Sequence, residues 1–258
     1  MKYIILTIIV LFALDCNTLF AQNKHFTENG TITFEKTINM YALLEKQINK
    51  DDESYMRPAF ESYKKNQKQF KVLKSTLNFA NNKTLYTPIE PETATGGFFS
   101  DSPMAGQVNT VFTDLSASMV TNQKKVFEET FLVKDSTRKI NWKITTETRE
   151  IAGYTCRRAN ALVLDSIYVV AFYTDEIPVS GGPELFSGLP GMILGVALPH
   201  ENMTWFATKV TDMPIEDKAL APPKKGKQVT NKSLYTTLTS VMKNWGEYAK
   251  PYLKAFML

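Results

Sequence analysis

The pattern of apolar and polar positions is strand-like along most of the chain. Residues 30–40 read GTITFEKTINM, in which β-branched and aromatic residues follow a glycine, so we predict the first strand there. Residues 75–86 return to the same chemistry, and Asn81 with Asn82 marks the turn of a hairpin. From residue 109 to residue 210 short strands follow one another closely. This spacing predicts antiparallel pairing, because a parallel crossover needs a dozen or more linking residues.

Five segments of that region are predicted strands. In residues 140–144 Ile and Trp alternate with polar residues, which is typical of a strand with one buried face. Residues 154–164 form the return strand after a glycine break. Residues 167–174 are apolar at both odd and even positions, so we expect that strand to be central and covered on both faces. Two further strands are predicted over residues 192–197 and 204–210.

Two helices and two irregular segments complete the prediction. Residues 51–71 are charged, with apolar side chains at near-helical spacing, and residues 88–107 read as a long loop. A proline-rich linker over residues 213–228 leads to a final helix near residues 231–253, capped by Asn231. Its apolar stripe consists of Leu234, Leu238, Val241, Met242 and Trp245, which we expect to cover one face of the sheet.

The N-terminus has the pattern of a secretory signal peptide. Lys2 precedes an apolar run over residues 3–14, which is too short to span a bilayer. Ala21 is small enough to precede the cut, so residues 1–21 are predicted to be removed and residues 22–258 to form one exported domain. A retained anchor is the alternative. The expected location is the periplasm, free or associated with the outer membrane.

Composition excludes several classes of protein. The net charge is +4, and basic residues cluster only at Arg157 with Arg158 and at residues 224–227, so nucleic acid is not an expected partner. Cys16 leaves with the signal peptide and stands after a charged residue, which argues against lipidation. Cys156 then remains as the single cysteine, and we expect it to be buried and inert.

Signatures of cofactor and metal chemistry are missing from the sequence. There is no HExxH, CxxC, GxSxG or P-loop pattern, and neither His25 nor His200 has a nucleophile or second ligand nearby. We therefore predict no catalytic set, no cofactor and no metal. Carboxylates such as Asp175 and Glu176 leave open a hydrolase built on residues distant in sequence.

The most distinctive segment runs from residue 180 to residue 194 and contains two glycine–proline groups. Pro190 suits the second position of a type II turn, and Gly191 supplies the positive φ required at the third. The residue types favour a tight structural corner over a catalytic loop. We expect Phe186 and Leu189 to be exposed, where they either contact an apolar ligand or a partner, or plug the end of the sheet. The candidate surface comprises Gly182, Pro183, Phe186, Leu189, Pro190 and Gly191.

This segment carries a resemblance. GLPGMIL at residues 188–194 resembles the signature of the GLPGLI family of exported bacterial proteins. Residues 140–144 (INWKI), 151–159 (IAGYTCRRA) and 172–179 (FYTDEIPV) occur in the order of that family. Met192, Ala152 and Gly195 depart from the commoner residues of the family.

The resemblance implies export, since the family consists of exported proteins. It also implies an accessory role, because genes of this family often lie beside genes of TonB-dependent receptors. No activity is established for the family. The strand-rich middle also resembles periplasmic lipoprotein carriers. We therefore expect a mainly β, α+β fold: a curved antiparallel sheet or partial barrel covered by one or two helices. The expected function is an envelope accessory or binding module that takes an apolar ligand or an outer-membrane partner such as a TonB-dependent receptor, with peripheral membrane association allowed. A carboxylate-based hydrolase and a purely structural envelope protein are the alternatives.

Overall fold

The structure is a computed structural model that describes residues 26–90, 102–106 and 109–258. The predicted signal peptide with its cut at Ala21, and most of the loop predicted over residues 88–107, lie outside these ranges. The described part of that loop is partly regular, because residues 88–89 end a strand and Pro103–Gly106 form a helical turn.

Strands are the commonest regular element of the described chain. They are β1 Gly30–Asn39, β2 Phe70–Ala80, β3 Lys83–Ile89, β4 Asn109–Asp114, β5 Met119–Val126, β6 Glu129–Ser136, β7 Lys143–Ile151, β8 Tyr154–Val163, β9 Ile167–Thr174, β10 Met192–Leu198, β11 Met203–Asp212 and β12 Lys227–Val229. The helices are α1 Met40–Glu45, α2 Glu53–Asn66, α3 Pro103–Gly106, α4 Asn231–Val241 and α5 Ala249–Met257. Short 3₁₀ helices occupy Pro199–Glu201, Asp217–Leu220 and Lys243–Tyr248.

The strands form one open sheet in the order β12-β6-β5-β4-β3-β2-β1-β11-β10-β9-β8-β7. Sequential strands that a short turn joins pair antiparallel, as predicted. Strands β1 and β2 also pair antiparallel, although α1 and α2 lie between them in the chain. The pairing of β12 with β6 is parallel, so the sheet is mixed. Strand β9 lies inside the sheet between β10 and β8 and is buried over most of its length, which confirms the prediction for residues 167–174.

Three predicted elements differ from the structure. The strand expected over residues 140–144 begins only at Lys143, because Trp142 turns away and donates its indole N–H to the Ser187 carbonyl oxygen at 2.9 Å. The helix expected over residues 51–71 ends at Asn66, and Phe70 already belongs to β2.

The C-terminal helix also differs, because it is two helices joined by a 3₁₀ turn. Gly246, at φ 56° and ψ −132°, interrupts the helical backbone there. The N-cap is Thr230 rather than Asn231: the Thr230 hydroxyl accepts from the backbone N–H of Ser233. Leu234, Leu238 and Met242 are buried as predicted, whereas Val241 and Trp245, which were expected to cover the sheet as well, are exposed.

The buried face of the sheet carries the main core. On β1 the even-numbered positions from Ile32 to Ile38 point inwards, and three of the four are apolar. The fourth is Lys36. A second, smaller core forms where α4 and α5 cover β5 and β6, and it is built from Val126, Phe131, Val133, Leu234, Leu238, Met242, Ala249 and Phe256. Across the described ranges, no helix has the length and apolar character needed to cross a membrane.

Candidate functional site

The glycine–proline segment of residues 180–191 is a closed corner between β9 and β10. The Gly188 N–H donates to the Ser180 carbonyl oxygen at 3.0 Å, and the Ile193 N–H donates to the Gly181 carbonyl oxygen at 2.9 Å. The first bond closes the segment on itself, and the second ties its beginning to β10. The segment therefore has the features of a structural corner, which is the interpretation that its residue types favour.

Gly191 owes its place to a close backbone approach. Its φ of 143° is positive, as predicted, but its N–H donates to the Leu189 carbonyl oxygen at 2.8 Å, which closes a three-residue turn instead of the predicted type II turn. A Cβ atom at this position would lie 2.0 Å from the Thr174 carbonyl oxygen at the end of β9. Any other residue would push the corner away from the sheet.

The candidate surface is mostly buried. The expectation that Phe186 and Leu189 are exposed is wrong, since they are 2% and 1% exposed and belong to the main core. The Phe186 ring packs at an angle on Trp205, with 6.0 Å between ring centroids. Gly182, Pro183 and Gly191 are buried as well, and Pro190 is exposed. The assignment of these residues to a ligand or partner surface stays a prediction.

A buried carboxylate lies in the same corner and was not singled out from the sequence. Glu184 is 8% exposed and adopts a left-handed φ of 51°. Its Oε2 accepts from Asn109 Nδ2 at 3.0 Å, and its Oε1 accepts from Trp205 Nε1 at 3.1 Å. Lys36 Nζ lies 3.7 Å from Oε1 and 4.7 Å from the centroid of the Trp205 ring. We call Glu184, Lys36, Asn109 and Trp205 the Glu184 cluster.

The Glu184 cluster shows how strongly the sheet curves. Asn109 is on β4 and Trp205 is on β11, four positions away in the strand order. In a flat sheet these strands would be about 19 Å apart. Because both side chains bind one carboxylate, the sheet bends around Glu184, which supports the predicted curvature.

Two further cations end against the last turn of α5. Lys124, which lies opposite Asn109 in the sheet register, donates to the Phe256 carbonyl oxygen at 2.5 Å. Arg138 donates to the backbone oxygens of Met257 and Leu258 at 2.6 and 3.2 Å. Carbonyl groups at the end of a helix carry partial negative charge and lack helical partners, so these cations hold α5 on the sheet.

The buried setting shifts several pKa values. Burial lowers the pKa of Lys124 to about 8, although the Glu184 carboxylate opposes this shift. Burial, and secondarily Glu184, raises the pKa of Tyr86, whose hydroxyl lies near Ser75. Ser75 Oγ nevertheless has no hydrogen bond of good geometry. Burial also raises the pKa of Cys156 to about 12, which agrees with the predicted inert thiol.

A group of exposed aromatic side chains lies at the end of the smaller core. Phe127 and Trp245 are 44% and 37% exposed, and their ring centroids are 5.7 Å apart. Tyr252 packs against both rings, at 6.1 and 5.2 Å. Exposed Val241 precedes Trp245 by four residues. Tyr248, beyond the Gly246 kink, instead donates its hydroxyl to Asp52 Oδ2 at 3.0 Å. We call the surface formed by Phe127, Val241, Trp245 and Tyr252 the C-terminal face.

Phe127 occupies an unfavourable backbone position on this face. It is the first residue of the two-residue turn between β5 and β6, with φ at 55°. Asn or Gly normally occupies such a position, since a left-handed backbone is strained for a bulky side chain. The ring contacts of Phe127 offset this strain, and the strained position still leaves nearly half of the ring in solvent.

The C-terminal segment that carries most of the C-terminal face is rich in lysine. Residues 224–258 contain seven lysines and one acidic residue, Glu247. The lysine-rich residues 224–227 run onto β12, where Lys227 pairs with Phe131, close to the turn that holds Phe127. That turn adds one exposed lysine, Lys125, and two exposed acids, Glu128 and Glu129. Together with residues 224–258 these three residues carry a net charge of +5.

Acidic groups do not converge elsewhere in the described part of the chain in a way that suits a metal. No group of three or more His, Cys, Asp and Glu side chains is placed there to hold an ion. Asp175 and Glu176, the carboxylates considered for a hydrolase, lie in the turn that follows β9. The charged groups beside Glu184 are Lys36 and Lys124, which are basic.

The chain resembles known proteins in sequence over a short stretch and in fold over most of its length. Residues 162–195 match a family described as a protein of unknown function (Porph_ging). This match covers β9, the corner and part of β10. No curated protein matches the chain.

Solved structures with a similar fold include PNGF-II in two crystal forms. One form has 19% identity and a TM-score of 0.50, with 81% of this chain and 33% of that chain covered; the other has 16% identity and a TM-score of 0.49, with 80% and 31% covered. The chain thus spans about a third of the length of PNGF-II. An uncharacterized conserved protein from Thermus thermophilus has 8% identity and a TM-score of 0.39, with 80% and 93% covered. At these identities the likeness to the first PNGF-II form concerns the fold alone.

Sequence reasoning could have found part of the Glu184 cluster. Lys36 lies on the inward face of β1, together with Ile32, Phe34 and Ile38. A lysine at such a position needs a buried partner for its charge. Nothing local indicates that the partner is Glu184, which lies 148 residues later in the chain.

Proposed function

We propose that this chain is an exported, non-enzymatic accessory module of the GLPGLI type that docks on an envelope partner through its C-terminal face. The observation that carries the proposal is the aromatic group of Phe127, Trp245 and Tyr252, whose first two rings are exposed, in a lysine-rich part of the chain. Exposed clusters of large apolar side chains rimmed by polar residues mark interaction sites. Export and kinship with the GLPGLI family rest on the sequence.

The contacts of the glycine–proline corner favour this surface over the corner itself. Phe186 and Leu189 contact the protein core, so in this conformation they do not meet a partner. Glu184 is occupied by Asn109, Trp205 and Lys36, and its neighbouring charges are lysines rather than a second carboxylate. A glycosidase-type hydrolase needs two carboxyl groups on either side of the reacting bond. The hydrolase alternative therefore gains nothing from this site.

The interpretation as a carrier of apolar ligands has weaker support. The curved sheet suits a carrier, but its inner face is occupied by large side chains such as Phe34, Phe186 and Trp205, which are fully buried. A groove of about 440 Å³ opens near the turn of Asn81 and Asn82, and its surface is more polar than apolar. That lining is unsuited to an acyl chain.

Site-specific photocrosslinking in the native host tests the proposal. A photoreactive phenylalanine analogue is introduced at Val241 or Trp245, with exposed Leu162 on β8 as the matched control position. We expect one defined adduct from the two test positions and none from the control, with the attached molecule identified by mass spectrometry. If both test positions give only the background of the control, the C-terminal face is not a docking surface.

A further inference from the structure

The C-terminal face combines aromatic rings with positive charge in a way that points to one kind of partner. We propose that it binds the surface of an anionic lipid bilayer, an inference that rests on the docking function proposed above. The first argument is charge. Residues 224–258 carry six more basic than acidic residues, although the whole chain has a net charge of only +4. The rest of the chain is therefore slightly acidic.

The second argument is the type of exposed aromatic residue. Trp and Tyr have an apolar ring with a polar edge and prefer the interface between lipid and water. Trp245 packs against Tyr252 of α5, and Phe127 packs against Trp245 from the β5–β6 turn. Rings from two separate elements thus form one exposed patch. A patch of this kind can enter the headgroup layer without any helix crossing the bilayer.

The third argument is the position of the lysines around that patch. Lys243 and Lys250 flank the aromatic segment and are exposed. Lysine side chains can lay their methylene groups along apolar surface while the ammonium group reaches anionic headgroups. Glu247 pairs with Lys250 at 2.7 Å, but both side chains are exposed, so an anionic headgroup can replace Glu247 as the partner of Lys250. A protein partner with an acidic, aromatic-binding surface is the competing occupant.

Vesicle co-sedimentation of the purified protein tests the inference. The probes are vesicles of phosphatidylcholine alone and of phosphatidylcholine with about 30% phosphatidylglycerol. We expect binding to the anionic vesicles that weakens strongly as salt is raised, because screening shortens the reach of each charge. Binding should shift the emission of Trp245 to shorter wavelength, while buried Trp205 does not respond.

Two sets of variants locate the binding surface. Trp245→Ala should weaken binding about tenfold, since it removes a ring that lipid would cover. Lys243→Gln with Lys250→Gln should weaken it about fivefold for each lysine. The matched controls, Leu162→Ala and the pair Lys143→Gln with Lys209→Gln, replace exposed residues on other strands and should bind like the original protein. Near-ultraviolet circular dichroism checks that every variant is folded.

The outcomes separate this inference from the docking proposal. Equal binding to both kinds of vesicle, or equal loss in test and control variants, overturns the lipid assignment. Absence of vesicle binding together with a defined protein adduct at Val241 or Trp245 also overturns it, while the docking proposal stands. Absence of both vesicle binding and a specific crosslink overturns both.

Discussion

Removal of the charge on Glu184 is the most direct test of the contacts that the Glu184 cluster makes across the sheet. In Glu184→Gln the shape and the left-handed backbone are kept, and the Trp205 indole can still donate to the remaining amide oxygen. Lys36, however, stays 5% exposed without its counter-charge. Breaking a buried ion pair from one side costs about 3–5 kcal/mol. We expect the lower end, about 3 kcal/mol, because the Trp205 ring 4.7 Å from Lys36 Nζ partly stabilises the cation.

The companion variants turn this loss into a coupling measurement. Lys36→Met combined with Glu184→Gln removes both charges, and such replacements of buried pairs are often close to neutral. The free energy of unfolding of the double variant should therefore lie within about 1 kcal/mol of the original value. It should be clearly higher than the value expected if the losses from the two single changes added together. Glu61→Gln is the control, because the Glu61–Lys64 pair at 2.8 Å is exposed and should contribute less than about 0.5 kcal/mol.

Urea denaturation followed by tryptophan fluorescence measures the original protein and all of these variants. With a slope of about 3 kcal/mol per molar urea, a loss of 3 kcal/mol lowers the midpoint by about 1 M. The slope itself should not change. The buried ion pair of Glu184 and Lys36 is contradicted if Glu184→Gln costs less than about 1 kcal/mol. It is also contradicted if the free-energy losses of the two single changes add in the double variant.

Three further predictions concern buried groups. Below the folded-state pKa of Lys124, about 8, both states are protonated and the burial penalty is full. Between pH 8 and 10.5 Lys124 loses its proton in the folded state but keeps it in the unfolded state. The free energy of unfolding of the original protein, relative to Lys124→Met, should therefore rise by about 3 kcal/mol across this window, as measured by urea midpoints. A difference that does not change with pH contradicts the buried charge. Phe186→Ala should lose about 3–5 kcal/mol in the same assay, whereas a loss below 1 kcal/mol would mean that the ring is not core. Gly191→Ala should lower the melting temperature far more than Gly153→Ala, because its Cβ atom would lie 2.0 Å from the Thr174 carbonyl oxygen. At Gly153, with φ at 86°, no atom lies within 4 Å of the added Cβ atom. Equal melting temperatures of the two variants would contradict the close approach.

Local chemistry in the sequence determined the strands. The β-branched and aromatic residues that follow Gly30, the Asn81–Asn82 turn and the two-sided apolar run of residues 167–174 each predicted an element that the structure contains. These signals work because side-chain period and turn chemistry depend on neighbours along the chain. The positive φ of Gly191 was predictable for the same reason.

The tertiary structure alone decided where the corner, the carboxylate and the aromatic rings would lie. Phe186 was expected at the surface, yet the curvature of the sheet brings Trp205 over it. Glu184 meets Asn109 from 75 residues away, and Phe127 meets Trp245 across the β5–β6 turn and the last helices. Such contacts depend on how strands far apart in sequence curve and pack together. A one-dimensional pattern contains the period of each strand but not the bend of the whole sheet, and that bend places both the Glu184 cluster and the C-terminal face.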